Sequence, residues 1–170
     1  QEQVLAEAFP VGHFEFSPTE DWLLYSLTQV GPKEKKEIYE VIEPDDRQPG
    51  WRNRSYLAKY DLKTGILQPL TFGYHNAWGS DISQDGRYIL VMTEESRLTK
   101  RPTTLRTLFR MDVQTLEVET LVEKDGFMGG AQFSPDGTQV LLTGSPESFN
   151  AIGKNVKEGQ TPSTTDTQLY

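Results

Sequence analysis

The 170-residue sequence predicts an all-β chain of β-propeller blades, each of four antiparallel strands, incomplete at about two and a half to three blades. Three observations lead there: a turn that recurs three times, a hairpin that recurs behind it, and one spacing shared by both. The turn lies within His13–Tyr25, Ser80–Val91 and Ala131–Leu142, each reading as strand, tight turn, strand. Ser134-Pro135-Asp136-Gly137 carries the whole chemistry. Ser and Asp oxygens accept from nearby backbone N–H groups, Pro pre-sets φ at about −65°, and Gly takes the positive φ that ends the turn. Ser83-Gln84-Asp85-Gly86 lacks the proline, and Ser17-Pro18-Thr19-Glu20-Asp21 lacks the glycine.

Behind each turn comes a hairpin, Tyr56–Gly65 with Ile66–Thr71 and Thr107–Leu116 with Glu117–Val122, and Thr167–Tyr170 reads as the start of a third. Ser83 and Ser134 are 51 residues apart, and so are Asp61 and Asp112. Two independent landmarks thus give one period. Ser17 and Ser83 are 66 apart, so the first unit holds 15 extra residues in one place. Helical repeats are excluded because Tyr88–Met92 and Val140–Leu142 are short buried-strand runs, while Leu116–Leu121 approximates a two-residue alternation.

In chain order, residues 1–10 are an N-terminal extension with a strand at Val4-Leu5-Ala6. Residues 11–72 are blade 1 with an insertion at 30–53, and residues 73–124 are blade 2. Residues 125–170 are a truncated blade 3 with an insertion at 144–165. Within the first insertion Lys33–Ile42 reads as a short helix of mixed charge; the second is polar, with Phe149 and Ile152 as its anchors. A closed propeller needs at least about four blades. The apolar content agrees that the core is shared: it is 35% with Tyr counted, and roughly 39% with Gly counted instead, against a norm of about 45–50%. The expected partners are therefore the remainder of its own propeller, or a copy of itself, meeting at the open edges near Val4–Ala6 and Gln168–Tyr170.

Composition removes several function classes. With 25 acidic against 17 basic residues the net charge is −8, which repels a phosphate backbone, so no nucleic-acid partner is expected. No apolar run approaches the ~20 residues of a membrane span, so no membrane partner is expected either. The absence of cysteine removes thiolate nucleophiles and Cys-ligated zinc. No Gly-x-Ser-x-Gly elbow, phosphate-binding glycine loop, His-Glu-x-x-His or EF-hand spacing occurs, so no catalytic residue, metal site or cofactor is assigned. His13 and His75 each stand beside a strand start and read as structural. A chain opening at Gln1 fits either a signal-peptidase cut or a cloning boundary, and a periplasmic or secreted location is the matching expectation.

Two short stretches carry the candidate binding residues. At the end of the first insertion, Trp51 and the adjoining Arg54 suit stacking and carboxylate recognition if the insertion is a pocket rim rather than a solvated loop. After an inner strand, Glu94 and Glu95 suit a substrate ammonium if they share a partly desolvated pocket; otherwise they are a charged strand end helped by Arg97 and Lys100.

The blade motifs also bear a family resemblance. Phe133-Ser134-Pro135-Asp136-Gly137, Leu57-Ala58-Lys59-Tyr60-Asp61 and Gln68-Pro69-Leu70-Thr71 resemble the N-terminal propeller of prolyl-oligopeptidase-family serine peptidases, over nearly all of Val11–Tyr170. The long insertions look more like the dipeptidyl- and acylaminoacyl-peptidase branches. The resemblance implies a propeller that caps an α/β-hydrolase domain and filters peptide substrates, with the catalytic Ser, Asp and His in that other domain. Its dipeptidyl-peptidase branch binds a substrate's N-terminus with paired glutamates, whereas Glu94-Glu95 stands in Met92-Thr93-Glu94-Glu95-Ser96-Arg97 without that motif's aromatic context. The blade pattern is also similar to that of Tol-Pal-type periplasmic propellers, which bind proteins and catalyse nothing. A peptidase propeller segment and a protein-interaction propeller therefore both remain open.

Overall fold

The computed structural model describes residues 12–32, 38–48, 50–163 and 165–170. Its strands form three successive antiparallel sheets in the manner of propeller blades. The first is β1 (Phe14–Phe16), β2 (Trp22–Gln29), β3 (Arg54–Asp61) and β4 (Leu67–Pro69), in that order. The second is β5 (Ala77–Ile82), β6 (Tyr88–Ser96), β7 (Thr104–Asp112) and β8 (Val118–Asp125). The third has three strands among the described residues: β9 (Met128–Phe133), β10 (Val140–Gly144) and β11 (Gln168–Leu169). No helix among the described residues is long and apolar enough to cross a membrane.

The recurring turns are built alike. In the second sheet Ser83 Oγ donates to Asp85 Oδ1 (2.6 Å) and accepts from the Tyr88 amide (2.8 Å), while Gly86, at φ +67°, donates to the Ser83 carbonyl. In the third, Ser134, Asp136, Gln139 and Gly137 repeat those bonds, with Gly137 at φ +69°. The first turn keeps the shape without the glycine, because Glu20 itself takes φ +58° and donates to the Ser17 carbonyl. The hairpin turns match as well. Asp61 Oδ1 accepts from the Lys63 and Thr64 amides, and Asp112 Oδ1 from the Gln114 and Thr115 amides. Leu116 adopts the positive φ that Gly65 adopts in the earlier blade.

Alternation along β6 explains how the blades stack. Ile89 and Val91 pack with Trp22, Leu24, Leu57 and Met111 between the first and second sheets. Leu90 and Met92 point the other way and pack with Leu108, Met128 and Ala131 between the second and third. A strand buried on both faces must be apolar throughout, which is why Ile89-Leu90-Val91-Met92 shows no polar alternation. Polar bonds lock the same junction: Ser80 Oγ donates to the Ala131 carbonyl (2.7 Å) and the Phe133 amide donates to Asp81 Oδ2 (2.7 Å). Leu141, one period after Leu90, shows what is lost at the end of the stack: Leu90 is fully buried and Leu141 is 42% exposed. At the other end Phe14 and Phe16 are exposed, yet Leu23, Tyr25 and Ala58 on the same face are buried.

Two expectations are corrected. The helix at Lys33–Ile42 is not formed over residues 38–42, because the chain instead makes a 3-10 turn at Pro44–Arg47; residues 33–37, like the Val4–Ala6 strand, lie outside the described residues. In the second insertion a left-handed turn, with Phe149, Asn150 and Ala151 all at positive φ, leads into a 3-10 turn at Ile152–Lys154. Phe149 anchors it, its ring 4.8 Å from that of Tyr170 and packed against the core between the second and third sheets, whereas Ile152 is half exposed.

Candidate functional site

One rim of the stack collects the far ends of β2 and β6, the near end of β3 and the first insertion. Within the described part of the insertion, Arg52 grips Asp46 through a two-point fork, Nε to Oδ1 and Nη2 to Oδ2, both at 2.7 Å. Asp46 is buried, and the Arg52 hydrogen bonds hold its carboxyl below the usual carboxylate range, with desolvation opposing and the Ile42 amide assisting. Asn53 Oδ1 accepts from the Gly31 amide (2.9 Å), closing the base of the loop. From the other side, the segment before β5 is tied to β3. The Ser55 amide donates to Asn76 Oδ1 (2.8 Å) and Tyr56 Oη to the Gly73 carbonyl (2.9 Å).

Between these walls lies a cleft of about 500 Å³, lined by all four sequence candidates, Trp51, Arg54, Glu94 and Glu95. Glu43, Tyr74, His75 and Asn76 also contribute to it. The Arg54 guanidinium carbon sits 4.5 Å from the Tyr74 ring centre and 5.5 Å from that of Trp51. Such cation–π contacts contribute about 0.5–2 kcal/mol each, depending on desolvation, and fix the plane of the group. Its Nη1 donates to the Trp51 and Asn53 carbonyls, at 2.8 and 2.9 Å. Arg54 has no carboxylate partner among the described residues.

The two glutamates reach this cleft without converging as a pair, since successive strand residues project to opposite faces. Glu94 accepts from Arg106 Nε (2.7 Å), whose Nη1 donates to the Met128 carbonyl, and Glu95 pairs with Lys124 Nζ (3.1 Å). The local cations do not serve them: Arg97 bonds the Pro102 carbonyl instead. Each glutamate is thus partly neutralised across the sheet, Glu94 by its register partner on β7 and Glu95 by a lysine of β8, one strand further away. Tyr74, Arg106 and Lys124 were not marked by any motif. His75 lies on the cleft wall, its ring 5.7 Å from Tyr74, while His13 contributes its carbonyl to the Ser26 amide. Among the described residues no group of His, Cys, Asp and Glu is placed to hold a metal ion.

No family model matches the chain. Similar solved structures include TolB from Acinetobacter baumannii, at 19% identity, TM-score 0.46 and 77% of this chain covered, and the tricorn protease, at 8% identity, TM-score 0.48 and the same coverage. The match spans 26% of the TolB chain and 10% of the tricorn protease chain.

Proposed function

We propose that the chain is a non-catalytic propeller segment of a serine peptidase, gating or orienting peptide substrates for an α/β-hydrolase domain outside these residues, in a periplasmic or secreted setting. The observation behind this reading is the meeting of Trp51, Arg54, Glu94 and Glu95 in one cleft that also holds Tyr74 and Glu43. A peptide offers such a site both signs of charge, amide groups and side chains for ring contact, whereas a −8 chain repels polyanions. In this reading the open faces at Leu141 and Leu169 meet further blades of the same protein, or a copy of the chain.

Two measurements test it. Intrinsic tryptophan emission, titrated with short peptides, is expected to change saturably, and to lose that response in Trp51→Phe, which leaves only Trp22 and Trp78, and in Arg54→Met combined with Glu95→Gln. A fluorophosphonate is expected to leave the 170-residue chain unlabelled and to label a serine elsewhere in the full gene product. The second reading, a Tol-Pal-type interaction propeller without enzymatic role, is favoured by Phe72, 88% exposed beside the cleft. It gains if the full gene product stays unlabelled.

A further inference from the structure

The Arg54 guanidinium is engaged by two aromatic rings and by two backbone carbonyls. Tyr74 and Trp51 face the cation, and both Nη1 hydrogens are spent on the Trp51 and Asn53 carbonyls. What remains is the Nε–Nη2 edge, with no partner among the described residues. That edge presents two parallel N–H groups whose spacing matches the two oxygens of a carboxylate. Two residues earlier, Arg52 uses the same edge on Asp46, at 2.7 Å for both bonds, so the chain itself displays the geometry that Arg54 leaves open.

A second, apolar recess of about 570 Å³ lies between the first two blades, floored by Leu70, Val91, Phe109 and Met111. Tyr74 and His75 line both recesses, so the fork and the apolar floor stand on either side of one shared wall. We infer that the combined groove takes the C-terminal end of a peptide: the α-carboxylate on the Nε–Nη2 edge of Arg54, and an apolar last side chain across Tyr74 in the neighbouring recess. Charge sets the class of anion. Glu43, Glu94 and Glu95 line the same cleft, so a singly charged, planar carboxylate is tolerated where a phosphate dianion is repelled. The inference rests on the peptide-cleft reading and gives it a direction, with the chain end rather than its start at Arg54.

The test is calorimetric titration of the 170-residue chain with acetyl-Ala-Ala-Phe as the free acid, as its C-terminal amide, and with the last residue changed to Gly. The acid is expected to bind at least tenfold more tightly than the amide and than the Gly peptide. Arg54→Lys keeps the charge but loses the fork, and is expected to bring acid and amide to within a factor of about three. Acid and amide binding alike to the unmodified chain would overturn the inference while leaving a peptide cleft in place. No binding by any of the three peptides would overturn the cleft reading and the inference together. Displacement of the bound acid by inorganic phosphate at lower concentration than by acetate would also refute it, by showing a general anion site.

Discussion

Adding one methyl group to each of two equivalent glycines should reveal how the blades touch at their turns. Gly137 and Gly86 hold the same place in consecutive turns, at φ +69° and +67°. An added Cβ at Gly137 meets nothing within 4 Å, so Gly137→Ala isolates the cost of a left-handed alanine, about 1–2 kcal/mol. At Gly86 the same Cβ lies 2.6 Å from Thr19 Oγ1 and 3.1 Å from its Cγ2, in the turn of the preceding blade. Thr19 is not free to swing away, because its hydroxyl bonds both Asp21 and Ser17. Displacing it adds the loss of a hydrogen bond, about 0.5–1.5 kcal/mol. Gly86→Ala should therefore cost about 1.5–3.5 kcal/mol in all. Urea unfolding reads the difference: at a slope of about 2 kcal/mol/M, the midpoint falls by about 0.5–1 M for Gly137→Ala and by about 0.8–1.8 M for Gly86→Ala. A double-mutant cycle assigns the excess. In a Thr19→Ala background Gly86→Ala should cost no more than Gly137→Ala, leaving a coupling of about 1 kcal/mol. Equal losses at the two glycines, or an excess that survives Thr19→Ala, would refute the turn-to-turn contact.

Other outcomes follow from the same contacts. Leu90→Ala should cost about 3–4 kcal/mol and Leu141→Ala about 1 kcal/mol in a sample monomeric by light scattering, because only the first is roofed by a further blade; thermal unfolding midpoints check this, and equal shifts would contradict it. The hydroxyl of Ser134, followed by the amide and hydroxyl of Thr138, holds Asp136 down to about 2, and Ser83 lowers Asp85 in the same way. Because these folded-state values lie below the unfolded one of about 3.9, their contribution is complete above about pH 4 and disappears as the pH falls toward 2. The stability gap between wild type and Asp136→Asn should accordingly close over that range in acid titrations followed by circular dichroism; a constant gap would contradict the assignment. Arg52→Leu leaves the buried Asp46 carboxylate unpaired and should open the first insertion, seen as faster limited proteolysis between residues 38 and 53 and altered Trp51 emission. Cleavage at the wild-type rate would show that the clamp does not hold the rim.

The turns, the period and the stacked sheets were legible because their chemistry is local. Ser83, Asp85 and Gly86 satisfy one another within a handful of residues, and a strand covered on both sides must be written as an uninterrupted apolar run such as Ile89–Met92. Trp51, Arg54 and the Glu94-Glu95 step were also visible, as unusual residues at the end of an insertion and of a strand. What those residues touch was not. Register brings Arg106 opposite Glu94, Lys124 reaches Glu95 from β8 past the intervening β7, and closure of two separate loops sets Tyr74 against Arg54. The left-handed conformations of Glu20 and Leu116 were hidden for a related reason. A residue type records its own preference, and the neighbouring strands outweigh that preference once their hydrogen bonds and packing demand the turn. Local hydrogen-bonding and burial patterns are properties of contiguous residues. The polarity of a cleft, and the one open edge of an arginine within it, are sums over segments that meet only after the chain has folded.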